Sequence, residues 1–80
     1  METFNKQEEE ILTNNVLKLF ENESYENICD NILKELNRED IKQCKLDHDL
    51  KSDTYSLYFE KIKIPENEVI ILNFNFNAVL

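Results

Sequence analysis

Apolar residues recur along the first half of the chain with the period of a helix and along the second half with the period of a strand. Ile11, Leu12, Val16, Leu19 and Phe20 share one helical face. Asn5 and Glu8 ahead of them have the spacing of a reciprocal cap, with Asn5 accepting an orphan amide and Glu8 reaching back. Glu21-Asn22-Glu23 interrupts that face. Ser24 then caps a second predicted helix, in which Tyr25, Ile28, Cys29, Ile32, Leu33 and Leu36 keep helical spacing without an error. The short connection predicts an antiparallel helical hairpin over about 5–37. Asn37 is also placed to cap a short third helix over Arg38 to Lys42, an alternative the pattern leaves open.

From about Gln43 the period falls to two. Cys44, Leu46, His48 and Leu50 alternate with Gln43, Lys45, Asp47, Asp49 and Lys51, the signature of a half-buried strand. Lys51-Ser52-Asp53-Thr54 reads as a turn, and Tyr55, Leu57 and Phe59 carry the apolar face onward. Pro65-Glu66-Asn67-Glu68 reads as a second turn, with Asn67 in the left-handed conformation. A last strand alternates Ile70, Leu72, Phe74, Phe76, Ala78 and Leu80 against Val69, Ile71, Asn73, Asn75, Asn77 and Val79. The expected fold class is α+β: a two-helix hairpin packed on one face of a three-stranded antiparallel β-meander, ααβββ, with the sheet over about 43–80. Eighty residues suffice for a single domain, 1–80.

A loop of residues 65 to 68 would pair Ile64 with Val69, Ile62 with Ile71, Leu57 with Phe76 and Phe59 with Phe74. Tyr55, Leu57, Phe59, Phe74 and Phe76 then cover the helices. Ile62, Ile64, Val69 and Ile71 are left on the outer side. A bulge near Glu60-Lys61 would instead turn Ile62 and Ile64 inward, with Val69 and Ile71 still exposed. The last strand is an edge by meander order. It has no Lys, Pro or Gly to discourage pairing, so Ile62, Ile64, Val69, Ile71, Asn73 and Asn75 form a candidate interface, including one between two copies.

Charge adds a second candidate surface. The chain has 17 acidic and 9 basic groups, a formal charge of −8, and Arg38 is its one arginine. Residues 1–40 hold 11 acids and 4 bases, and residues 41–80 hold 6 and 5. The excess therefore lies on the predicted helices, on the sides not committed to a core. Glu9, Glu10, Glu23, Glu26, Asp30, Glu35, Glu39 and Asp40 are its candidate contact residues. A solvated face that keeps a small protein soluble accounts for any one of them. Together they suit a basic protein groove, while direct binding to nucleic acid or to an anionic membrane is disfavoured.

Other chemistry is largely excluded. With no glycine there is no phosphate-cradling loop and no nucleophile elbow. Two separated cysteines and one histidine do not make a zinc site. Asp47 and Asp49 flank His48 but point to the opposite strand face, and Cys44 lies roughly 13 Å from it along the strand. The aromatics read as core. Cys29 and Cys44 are expected to be reduced, and the sequence holds no signal peptide or membrane-length apolar run, so a cytoplasmic location is expected. The functional expectation is a non-enzymatic protein without cofactor or metal: an acidic inhibitor of a nucleic-acid-binding host protein, of the anti-CRISPR or anti-restriction kind. The alternatives are a structural or adaptor module assembling through its hairpin tip and edge strand, and an antitoxin or immunity protein.

Overall fold

Asn5 opens the first helix through a reciprocal cap. In the computed structural model, which describes residues 3–76, the Glu8 amide donates to Asn5 Oδ1 at 2.8 Å and the Asn5 amide to Glu8 Oε1 at 3.0 Å. The helix that follows, α1 (Lys6–Val16), buries Leu12, Asn15 and Val16. It then tightens into a 3₁₀ helix, Leu17–Glu21. That change corrects the expected helical face. A 3₁₀ turn advances each side chain by more than an α-turn does, so Phe20 leaves the stripe and is 61% exposed. Asn22 closes the segment at φ 61°.

The second helix, α2 (Tyr25–Leu36), starts as its sequence predicts, with the Asn27 amide donating to Ser24 Oγ at 3.1 Å. Ile28, Cys29, Ile32 and Leu36 are buried, whereas Tyr25 at the helix entrance is 40% exposed. Each fully buried aliphatic contributes about 1.5–3 kcal/mol against the unfolded chain, as an upper estimate. Asn37 ends α2 in the left-handed region at φ 48°, so it is a C-cap, and the alternative third helix does not form. Arg38 fastens the N-terminal segment: Nη1 donates to the Thr3 carbonyl at 2.8 Å, meets Glu8 Oε2 at 3.4 Å, and the guanidinium lies over the buried Phe4 ring.

A second compact unit begins at Glu39. Its sheet has the order β1-β2-β3, all antiparallel, from β1 (Ile41–Asp49), β2 (Thr54–Lys61) and β3 (Glu68–Phe74). Two helices followed by three antiparallel strands make the α+β class and the ααβββ order expected. Leu57 and Phe59, on the central strand, are its most deeply buried side chains. Their face includes Cys44, Leu46 and His48 from β1 and Ile70, Leu72 and Phe74 from β3.

Three details of the sheet depart from expectation. The β1 ladder starts at Ile41, and its register shifts between Ile41 and Gln43, where one extra residue, Lys42, is accommodated. The bulge therefore sits on β1 and not at Glu60-Lys61. It returns Ile41, whose odd number would send it outward, to the buried face. Next, the β1–β2 turn occupies Leu50–Asp53, because His48 pairs with Tyr55 and Asp49 with Thr54; Leu50 lies in the turn and is 82% exposed.

The β2–β3 hairpin is the largest correction. Its loop spans Ile62–Asn67, so Leu57 pairs with Leu72, Phe59 with Ile70 and Tyr55 with Phe74. The four-residue loop had placed each β2 residue opposite a β3 residue four positions too late. A shift of four preserves the faces, which is why alternation alone did not expose it. Asn67 is not among the left-handed residues, which among the described residues are Asn22, Asn37 and Asp53. Its side chain braces the loop instead, accepting from the Lys63 amide at 3.3 Å and donating to Glu60 at 2.8 Å. The continuation of the last strand through Asn77, Ala78, Val79 and Leu80 lies outside the described residues, and Asn75 falls beyond the end of β3.

Candidate interaction surfaces

Helical geometry sets the first surface. Glu26 and Asp30 lie four residues apart on α2, on the side opposite Ile28 and Ile32, Glu23 precedes the Ser24 cap, and all three are exposed. Neighbours at that spacing have Cβ atoms about 5–6 Å apart and repel by roughly 0.2–0.5 kcal/mol per pair. Glu26 is partly offset by its position in the first turn, near the positive end of the helix dipole. Asn27 donates to Glu23 at 3.4 Å, and among the described residues no cation pairs with Glu23, Glu26 or Asp30.

The remaining acidic candidates are distributed. Glu9 and Glu10 are exposed on α1. Glu35 accepts from Asn15 Nδ2 at 3.2 Å. Glu39 and Asp40 belong to the second unit, where the Asp40 carbonyl accepts from the Ile62 amide at 2.7 Å. The arrangement brings Glu26 and Asp30 onto one side of α2 with Glu23 just ahead of the helix, and that acidic helix start is the part of the acidic surface with defined geometry.

The second surface belongs to the sheet. Ile62 (51% exposed) and Ile64 (93%) in the β2–β3 loop and Val69 (64%) and Ile71 (52%) on β3 are exposed as expected, but the expected pairs Ile62–Ile71 and Ile64–Val69 do not form. Strand register places Tyr58 between Lys45 on β1 and Ile71 on β3, and Glu60 between Gln43 and Val69. Gln43, Lys45, Tyr58, Glu60 and Val69 line an open hollow there. On the neighbouring row Ser56 Oγ donates to Asn73 Oδ1 at 2.7 Å. Tyr58 was not singled out from sequence, although an aromatic between Ser56 and Glu60, on the polar phase of β2, was a usable signal. With Tyr58 the aliphatic patch extends inward from the exposed edge of β3.

His48 has a partner that its neighbours in sequence do not suggest. Asp53, held at φ 52° in the β1–β2 turn, places Oδ1 2.7 Å from His48 Nε2. The imidazole stacks on Tyr55 with ring centres 4.0 Å apart. Cys29 and Cys44 are both thiols, the first buried and the second half-buried. Among the described residues no three His, Cys, Asp or Glu side chains converge as a metal set, and no helix is long and apolar enough to cross a membrane.

No family model, curated protein or solved structure matches the chain. Its functional reading therefore rests on these two surfaces.

Proposed function

We propose that the chain is a small non-enzymatic binding protein that occupies a basic, nucleic-acid-binding surface of another protein, acting as a stoichiometric inhibitor of the anti-CRISPR or anti-restriction kind. The supporting observation is the acidic start of α2: Glu26 and Asp30 one turn apart on its outer side and Glu23 just ahead of the Ser24 cap, all exposed and without cation partners among the described residues. Leaving them together costs the isolated helix stability, and a cationic groove would reverse the sign of that term. Attraction of this kind steers association and is screened over about 10 Å at 0.1 M salt.

The test is a pull-down from the presumed host at low and physiological salt, with nucleic-acid binding by the captured partner as readout. Capture should fall steeply with salt, and Glu26→Lys with Asp30→Lys should abolish it. Salt-insensitive capture that survives both reversals rejects the reading. A second reading, an adaptor assembled through Ile62, Ile64, Val69 and Ile71, is favoured by their exposure. There Ile64→Lys should abolish capture while the helix reversals leave it intact.

A further inference from the structure

The edge of β3 fits a second copy of the same strand, and we infer that the chain forms a two-fold dimer by antiparallel β3–β3 pairing centred on Ile71. The geometry follows from symmetry. A two-fold axis between antiparallel strands must pass a residue opposite its own copy, so outward residues meet outward residues. Ile71 is two residues from Val69 and two from Asn73 on the outer face, and with the axis beside it all seven residues, Glu68–Phe74, find partners. Val69 then faces Asn73 of the second copy, and Ile70 faces Leu72. The three-stranded sheets join into one of six strands, and the exposed edge disappears.

Charge selects this occupant. β3 carries a single charged residue, Glu68, whose Oε1 lies 3.9 Å from Lys63 Nζ of the same chain. Antiparallel self-pairing sends the two Glu68 residues to opposite ends of the joint, whereas a parallel arrangement would bring them together. The acidic excess lies in residues 1–40, and residues 41–80 carry only −1. A basic macromolecule is therefore drawn to the helical half, and a near-neutral strand of the chain's own sequence suits the sheet half. The two Ile71 side chains become the central cross-strand pair, flanked by Tyr58 on each copy.

Light scattering of the full chain, at concentrations well above micromolar, should give twice the chain mass. The mass should hold as salt is raised, opposite to the salt response of a basic partner on α2. Ile71→Lys should halve it with circular dichroism unchanged. Position is tested by oxidative cross-linking in a Cys44→Ser background. Ile71→Cys places two thiols across the axis at Cα separations of about 4.5–5.5 Å, within disulfide range. Val69→Cys places them roughly 13 Å apart along the strands. Selective cross-linking of Ile71→Cys supports the inference, as does cross-linking of the double variant Val69→Cys/Asn73→Cys. A single-chain mass overturns it, as does equal cross-linking of Ile71→Cys and Val69→Cys.

Discussion

His48 Nε2 lies 2.7 Å from Asp53 Oδ1, a contact that links the end of β1 to the last residue of the turn that follows it. The pair joins two constraints at one site. Asp53 supplies both a carboxylate for the imidazole and a left-handed backbone that residues other than Gly, Asn and Asp adopt at a cost. The flanking aspartates, Asp47 and Asp49, lie on the opposite face and are exposed.

Replacing Asp53 separates these contributions. Asp53→Ala removes the hydrogen bond and adds left-handed strain, and should destabilise the chain by about 2 kcal/mol in urea denaturation. Asp53→Gly loses the bond but relieves the backbone, so it should cost about 1 kcal/mol or less. Equal losses would mean that backbone strain plays no part.

The buried amide of Asn15 gives a pH-dependent test. Nδ2 donates to the Ile11 carbonyl at 2.8 Å and to Glu35, while Oδ1 is buried without a hydrogen bond. Asn15→Asp would place a second carboxylate against Glu35 in a site shielded from water. Burial and like charge both raise the new group's folded-state pKa above its unfolded value, so the folded state binds the proton more tightly. The variant should lose about 3 kcal/mol at neutral pH. It should regain stability as pH falls through the raised pKa, measured by urea midpoints across the acidic range. Asn15→Leu should lie within about 1.5 kcal/mol of the parent at every pH, because the unbonded acceptor disappears with the donor.

The bulge at Lys42 predicts that both deletion and substitution of this residue are tolerated. Deleting Lys42 would leave Ile41, Gln43 and Cys44 in strict alternation with Ile41 still opposite Lys61 on the buried face, so it should cost about 1 kcal/mol or less in urea denaturation, and a loss of about 1.5–3 kcal/mol would mean that Ile41 had turned to solvent. Lys42→Ala keeps the extra residue and should change urea stability by less than about 0.5 kcal/mol, since Lys42 is exposed.

What the sequence determined by itself was whatever depends on residues close together along the chain. Asn5 with Glu8 and Ser24 with Asn27 bond within three residues, so the helix starts were legible from residue type and spacing. Strict alternation made the strands legible in the same way and left Val69 and Ile71 facing outward under any even shift of register. Tertiary structure decided what depends on where a turn closes. A loop centred two residues earlier than 65–68 moved every β2–β3 partner while preserving the faces, and Lys42 could be recognised as a bulge only once Ile41 was seen beside Lys61. The partners of His48 and Asn15 also come from chain reversals, at Asp53 and Glu35. Local periodicity is set by backbone geometry that each residue experiences alone, whereas register and cross-chain partners follow from the free energy of whole elements brought together.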